Sequence, residues 1–269
     1  MKETKKLSNI KDILDNLYCS YNKREYVHPD PLEFLYNYKE IRDREIAGFL
    51  ASSLAYGRVA QILKSVSSVL DKMGSSPYMF LMNSKPSVIK NTFKGFKHRF
   101  ADEKNLYAVL TGLRCILTEY GSLYECFLKG LDGKDETVLG CMKFFTKTIA
   151  SVCNGSPGHL VPVVEKGSAC KRLHLFLRWM VRKDDVDPGG WDKIPSCMLI
   201  VPLDVHMHKI GRLLGFTNRK QADIVTALEI TSGFRNLIPD DPVKYDFTLT
   251  RFGIRADMDI DNLSRMYKL

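Results

Sequence analysis

Apolar residues recur at intervals of three and four along almost the whole chain, and this spacing limits the available folds more than any other feature. An example near the N-terminus is the series Ile10, Ile13, Leu14 and Leu17. Residues spaced in this way lie on one face of an α-helix, whereas the strict alternation that is typical of a half-buried strand is scarce here. We therefore predict an all-α fold.

Glycine and proline divide this pattern into separate helices. Between 43 and 69 the pattern breaks at Gly57, which predicts two packed helices joined at that glycine. Clusters of Gly, Pro and Ser at 74–90 predict short helices, and those at 153–170 predict a loop that leads into a helix from Ala169 to Arg182. Further helices are expected at 105–120, 121–130 and 136–152.

No repeat, low-complexity tract or interdomain linker divides the chain. Its 269 residues suffice for one large unit or two intimately packed ones. We predict a single helical unit, 1–269, made of two interleaved lobes with a cleft between them. One lobe comprises 1–50 with 160–269, and the other comprises 51–159.

The charge balance favours a polyanionic partner. Forty Lys and Arg against 31 Asp and Glu leave a formal net charge of +9, and the isoelectric point is near 9.1. Such a charge attracts nucleic acid electrostatically, although scattered surface lysines would produce the same balance.

The N-terminus is too polar for a signal peptide, and no stretch approaches the roughly 20 apolar residues of a membrane-spanning helix. The seven cysteines include no Cys-x-x-Cys pair, so neither a disulfide framework nor a zinc or iron–sulfur spacing is visible. We predict a cytoplasmic protein with no membrane association and no cofactor.

The segment 167–215 places a lysine and an aspartate at two successive helix starts. Ser168 is the predicted N-cap of the first helix, which places Lys171 in the first turn. There the exposed N–H groups and the helix dipole disfavour an ammonium ion, and a free amine is what a Schiff-base nucleophile requires. The alternative is a solvated surface lysine.

Asp204 precedes the second helix, which runs to Gly215, and is its predicted N-cap. Capping alone would explain this aspartate. Together with His206 and His208 it also suggests a metal site, but residues two apart on a helix diverge by about 200°. The helical pattern therefore favours no metal site.

Basic residues near the two helix starts could bind phosphates together with backbone amides. Solvated helix faces are the alternative interpretation. The predicted nucleic-acid contacts are Lys166, Gly167, Ser168, Arg172, Lys209 and Arg212.

The segment resembles the helix-hairpin-helix DNA glycosylase superfamily, in which a catalytic lysine opens one helix and a catalytic aspartate precedes the next. Lys171 in Cys-Lys-Arg-Leu-His-Leu-Phe and Asp204 in Pro-Leu-Asp-Val-His-Met-His match these positions. Their separation of 33 positions is similar to that of the archaeal 8-oxoguanine glycosylase branch. The usual Leu-Pro-Gly-x-Gly-x-Lys hairpin is absent, as is the iron–sulfur loop of some relatives.

The chain also resembles, over nearly its full length, a conserved bacterial domain family of unknown function. The motifs that carry this resemblance are Phe49–Arg58, Leu175–Arg182, Pro239–Pro242 and Tyr245–Leu249 with Phe252-Gly253. This second resemblance implies no activity.

The glycosylase resemblance implies base-excision repair of DNA, with or without strand cleavage (AP-lyase activity). A damaged base such as 8-oxoguanine would be flipped from the duplex into the cleft. Lys171 would attack the sugar C1′ to form a Schiff base, and Asp204 would assist its deprotonation and stabilise positive charge on the sugar.

Arg58, Gln61 and Trp179 are the predicted pocket residues, with a place in the core as the alternative for Trp179. Two other functions are open. One is a catalytically inactive nucleic-acid-binding protein on the same scaffold, and the other is a metal-dependent hydrolase that uses Asp204, His206 and His208.

Overall fold

The helical spacing of apolar residues produces helices throughout the computed structural model, which describes the backbone of residues 2–254 and the side chains of 9–253. Residue 1 and residues 255–269 of the predicted unit lie outside the described residues. The α-helices of this part are α1 (Lys2–Tyr21), α2 (Ile41–Ser53), α3 (Val59–Met73), α4 (Pro77–Asn83), α5 (Pro86–Thr92), α6 (Glu103–Tyr120), α7 (Leu123–Leu128), α8 (Leu139–Val152), α9 (Lys171–Val181), α10 (Val205–Leu213), α11 (Ile224–Leu237) and α12 (Asp246–Ile254). Short 3-10 helices cover Arg24–Tyr26, Pro31–Asn37, Gly158–Leu160, Val164–Lys166 and Ser196–Met198.

The predicted break between α2 and α3 is confirmed. Gly57 lies in this connection with a φ of 102°, a left-handed conformation that glycine adopts without strain. A Cβ at this position would lie 2.6 Å from Cδ of Arg99. Glycine is therefore required both by the backbone conformation and by the close approach of a neighbouring side chain.

A small hairpin contains both β-strands of the described residues. Its strands, β1 (Lys97–His98) and β2 (Ala101–Asp102), pair antiparallel around the turn Arg99-Phe100. Asp102 then caps α6 by accepting hydrogen bonds from the N–H groups of Lys104 and Asn105. Strands of two residues are too short to produce an alternating pattern, so the sequence did not predict them.

The helices pack around one connected set of apolar side chains. Helix α2 packs against α9, α6 against α8, and α10 against α12. Within this core the ring of Phe49 makes edge contacts with Phe145 and Phe176, at centroid distances of 5.7 and 5.5 Å. The core includes residues of both predicted lobes, and the division into lobes stays a prediction. None of the helices in residues 2–254 combines the length and apolar character that a membrane crossing requires.

Glu45 on α2 is fully buried and holds the start of α7. Its carboxylate accepts hydrogen bonds from the N–H groups of Leu123, at 2.7 Å, and Tyr124, at 3.2 Å, and from Nε1 of Trp191, at 3.2 Å. Burial raises the pKa of Glu45 to about 7, against the opposing effect of these donors. The folded protein therefore binds a proton at this residue more tightly than the unfolded chain does.

We expect Glu45→Gln to change how stability depends on pH. The stabilisation from a raised carboxyl pKa is complete below the unfolded value of 4.5 and is lost as the pH rises through about 7. Relative to the variant, the wild type should lose up to about 3 kcal/mol of unfolding free energy between pH 4 and pH 8. Urea unfolding of both proteins at several pH values across this range would measure the difference in unfolding free energy. The matched control is Glu125→Gln, since Glu125 is 48% exposed, and a wild-type-to-variant difference that does not vary with pH would contradict the prediction.

Candidate functional site

A cavity of about 620 Å³ lies where α9, α10 and α12 meet the turn between α2 and α3. This volume is typical of sites that bind small molecules or single chemical groups. Apolar and aromatic side chains form much of its wall, including Tyr56, Ile62 and Leu175. Charged side chains from four segments reach the same space, and the chemistry of the cavity depends on them.

Lys171 enters the cavity from the first residue of α9. The prediction that it lies in the first turn is confirmed, but the prediction that Ser168 is the N-cap is wrong. Cys170 occupies the N-cap position with a left-handed φ of 43°. Ser168 pairs instead with Asp223 in an isolated bridge, and its Oγ accepts a hydrogen bond from the Cys170 N–H at 3.1 Å.

Asp204 is the N-cap of α10, as predicted. Its Oδ1 accepts hydrogen bonds from the N–H groups of His206, at 3.0 Å, and Met207, at 2.9 Å. Its other oxygen, Oδ2, lies 3.0 Å from Nζ of Lys171. One carboxylate therefore both caps a helix and pairs with the lysine across the cavity wall.

Electrostatics keep the Asp204 carboxylate ionised. Burial alone would raise its pKa, but the ammonium of Lys171 and the Met207 N–H outweigh this effect and hold the pKa below its usual value. The Lys171 side chain is 35% exposed and that of Asp204 is 13% exposed. The lysine is thus accessible from the cavity while its partner is largely shielded from water.

A buried ionic cluster lies behind this pair. Arg178 of α9 contacts Asp246 of α12 at 2.5 Å and Asp187 at 3.2 Å. Burial raises the pKa of Asp246 to about 6, although Arg178 opposes the shift, and the negative charge of Asp204 adds to it. Among the described residues, Oδ1 of Asp246 has no hydrogen-bond partner.

Arg251 belongs to the same buried region of the cavity wall. Its Nη2 donates to Oδ2 of Asp30 at 2.7 Å, and its guanidinium carbon lies 4.4 Å from the ring centroid of Phe247. Nε and Nη1 of Arg251 find no hydrogen-bond partner among residues 2–254. Unsatisfied buried donors are costly in a folded protein, so these two nitrogens call for a partner such as an ordered water or a ligand group.

Comparison with family profiles found one match, to DUF2400, which is described as a protein of unknown function, over residues 30–255. This match covers most of the chain. The chain belongs to the DUF2400 family. Comparison with curated proteins found no match, and comparison with solved structures found none either.

The DUF2400 match includes Lys171, Asp204 and the buried cluster, so the cavity lies within the matched region. It also agrees with the predicted resemblance to a conserved family of unknown function. The comparisons give no support to the resemblance to helix-hairpin-helix glycosylases. That resemblance, and its archaeal branch, stay predictions for this DUF2400 chain.

The predicted pocket residues lie in three different places. Trp179 is 1% exposed in the core and is not among the residues that line the cavity. Gln61 lines a separate surface depression of about 210 Å³. Arg58 lies exposed at the start of α3, next to the cavity-lining residue Gly57.

Arg172 lies in the cavity wall, but its guanidinium is engaged within the protein. It donates to the carbonyl oxygens of Ser53, at 2.5 Å, and His159, and it lies over the Tyr56 ring. These contacts join α9 to α2 and to the loop before α9. Arg172 therefore stabilises the wall of the cavity, and its predicted phosphate contact stays a prediction.

The other predicted phosphate contacts lie outside the cavity lining. Lys166, Lys209 and Arg212 are exposed. The carbonyl of Gly167 accepts a hydrogen bond from the Ile224 N–H at 3.1 Å. Binding of nucleic acid by these residues stays a prediction.

His206 and His208 both lie on α10, and the helix separates them as expected. His206 lines the cavity, whereas Nε2 of His208 lies 2.9 Å from the carbonyl oxygen of Arg219. Within the part of the chain that the structure describes, no three His, Cys, Asp or Glu side chains are grouped to hold a metal. The geometry thus gives no ligand set to the metal-dependent hydrolase.

Sequence reasoning assigned no role to Arg178, Asp246 or Arg251. Arg178 stands inside the apolar run Leu177-Arg178-Trp179-Met180, where a charged residue is expected to be buried with a partner. That signal was available in the sequence. Its partners were not, because they lie on segments far away in the chain.

Proposed function

We propose that this protein is a DNA glycosylase that removes a damaged base through a lysine nucleophile. The observation that carries the proposal is the 3.0 Å contact between Nζ of Lys171 and Oδ2 of Asp204 in the wall of a 620 Å³ cavity. A lysine paired with a carboxylate in the wall of a cavity meets the first requirement of amine nucleophilic catalysis.

The proposed reaction begins with transfer of a proton from Lys171 to Asp204. The neutral amine attacks C1′ of the nucleotide, a C1′–Nζ bond forms, and the N-glycosidic bond breaks with its electron pair leaving on the base. The base takes up the proton held by Asp204. Opening of the C1′–O4′ bond, with a proton passing from Nζ to O4′, then converts the adduct to a protonated Schiff base, from which elimination of the 3′ phosphate would cleave the strand.

The cavity suits a flipped base on both its apolar and its polar sides. Tyr56, Ile62 and Leu175 provide surfaces against which a planar ring can pack. Arg251 and Asp246 add hydrogen-bonding groups on the same wall, and a base carries donors and acceptors on its edge. An oxidised purine such as 8-oxoguanine has both features.

The segment before Lys171 differs from the phosphate-binding hairpin of known glycosylases. A single 3-10 turn, Val164–Lys166, precedes the lysine where that motif has a helix. Phosphate binding by this chain therefore cannot depend on the backbone geometry of that motif. The net charge of +9 supports a polyanionic partner.

The test is to incubate the protein with duplexes that carry single lesions, beginning with 8-oxoguanine, in the presence of borohydride. Borohydride reduces a Schiff base to a stable amine, so a covalent protein–DNA adduct is the expected result. No adduct and no base release across a broad lesion panel, with duplex binding intact, would favour the catalytically inactive binding protein.

Asp204→Asn is expected to slow base release about 100-fold or more, because the variant loses the proton acceptor. An asparagine side chain still caps a helix, so folding should be retained. Single-turnover rates at pH 7 and the melting temperature would measure the two effects. The matched control is Asp223→Asn: Asp223 caps α11 by accepting from the Thr226 N–H at 2.9 Å and does not line the cavity. Equal rates for both variants would refute the role of Asp204.

A further inference from the structure

The turn of the β1–β2 hairpin displays an aromatic ring to solvent. Phe100 is 71% exposed, and the preceding residue, Arg99, adopts a left-handed φ of 52°. The Arg99 guanidinium lies 5.4 Å from the Phe100 ring centroid, and the His159 ring lies 6.0 Å from it. A left-handed non-glycine residue costs stability, and its position beside an exposed aromatic ring points to a functional reason.

This turn is attached to the wall of the cavity on two sides. On one side the Tyr56 hydroxyl donates to the His98 carbonyl at 3.1 Å, and the His98 ring lies against Tyr56. On the other side, the carbonyl of His159 accepts a hydrogen bond from Arg172. Tyr56 and Arg172 both line the cavity. Phe100 is therefore held next to the cavity.

A basic surface continues from the hairpin along α3, and we call it the lysine depression. It is about 210 Å³ in volume, and no acidic side chain is among the described residues that line it. The helix α3 separates it from the cavity, because Ile62 lines the cavity and Gln61 lines the depression. Its lysines are Lys64, Lys72, Lys94 and Lys97.

We propose that the hairpin turn and the lysine depression together bind DNA that contains an unstacked position, with phosphates on the lysines and an exposed base face on Phe100. The inference rests on the proposed function for its choice of DNA. Lysines neutralise backbone phosphates, and aromatic rings stack on bases that have lost a neighbour. An acidic protein would pair with the lysines but would leave the exposed ring of Phe100 without a partner.

The lysines and Phe100 are expected to contribute to DNA binding in different ways. Each phosphate neutralised by a lysine adds about 0.9 to the steepness with which the logarithm of the binding constant falls against the logarithm of the salt concentration. This contribution does not depend on the DNA sequence. Stacking on Phe100 requires a base face that an intact duplex does not offer. The ring should therefore matter only where the stack is broken, and such a break is what a flipped base produces.

The experiment measures binding by fluorescence anisotropy of the full chain to two duplexes, one intact and one with a central tetrahydrofuran residue. Tetrahydrofuran has no base and no C1′ leaving group, so no reaction accompanies binding. Phe100→Ala should weaken binding to the tetrahydrofuran duplex about tenfold and leave intact-duplex binding unchanged, and Phe100→Trp should bind like the wild type. The control for the ring is Val88→Ala, at another exposed apolar residue (46% exposed).

The lysines are tested with the triple variant Lys64→Ala, Lys94→Ala, Lys97→Ala. It should weaken binding to both duplexes and lower the salt slope by about 2 to 3. The charge-matched control is Lys23→Ala, Lys39→Ala, Lys129→Ala, whose residues line neither the cavity nor the depression. Equal effects of the two triple variants would overturn the lysine contacts, and equal effects of Phe100→Ala on both duplexes would overturn the stacking.

The outcome separates this inference from the proposed activity. Base release by the wild type, with unchanged binding by Phe100→Ala and by the lysine variant, would overturn the surface alone. Binding that depends on Phe100 and the lysines, without base release from any lesion, would support the surface and overturn the glycosylase. Absence of binding by the wild type would overturn the surface.

Discussion

Replacing Lys171 with alanine is expected to abolish the borohydride-trapped adduct and to reduce base release on the order of a thousandfold or more, because the variant has no amine to attack C1′. Lys171→Arg is a sharper variant. In the wild type Asp204 lies 3.0 Å from the lysine, and this variant keeps a cation beside it. A guanidinium stays protonated, however, and does not act as a nucleophile. Gel separation of the trapped complex and single-turnover base release would measure both variants.

The control for this substitution is Lys193→Ala. Lys193 also pairs with a carboxylate, that of Glu125 at 3.1 Å, but it lies outside the cavity lining. Loss of its ion pair should leave the adduct at the wild-type level. An adduct that persists in Lys171→Ala, with a crosslink mapped by mass spectrometry to another residue, would show that Lys171 is not the nucleophile.

Replacing Arg178 with methionine is expected to lower the unfolding free energy by about 3 to 5 kcal/mol, because the variant leaves the buried Asp246 carboxylate without its cation, whereas Asp187 keeps Arg182 at 2.5 Å. Arg178 is 3% exposed and contacts both Asp187 and Asp246. For a chain of this size the melting temperature should fall by about 10 °C. Urea unfolding followed by circular dichroism would measure the loss directly.

Two further variants test whether the stability lost in Arg178→Met comes from the buried carboxylate left without a cation. Lys11→Met breaks a partly exposed pair with Asp15 and should change the stability little. The double variant Arg178→Met, Asp246→Asn removes the stranded charge of Asp246 and should recover part of the stability. A loss for Arg178→Met no larger than that for Lys11→Met would show that the buried cluster contributes little to the folded state.

Local sequence was sufficient to predict most helices and one of the two key caps. The apolar spacing around Leu173 and Phe176 predicts α9 to within two residues at its start, because helical periodicity depends on neighbours along the chain. Asp204 was predicted as an N-cap for the same reason, since capping involves residues two and three positions away. Ser168 failed as a cap because a long-range bridge to Asp223 holds it outside the helix.

The sequence by itself determined that the chain is helical, where most of its helices begin and end, and that a lysine and an aspartate stand at two helix starts. These properties follow from interactions between residues close in the chain. The tertiary structure decided that Lys171 and Asp204 meet at 3.0 Å, that Asp246 lies behind them, and that Trp179 lies in the core while Phe100 is exposed. Such contacts join segments that are far apart in the chain, by 68 positions between Arg178 and Asp246 and by 221 between Asp30 and Arg251. They depend on how helices pack, which no local pattern specifies.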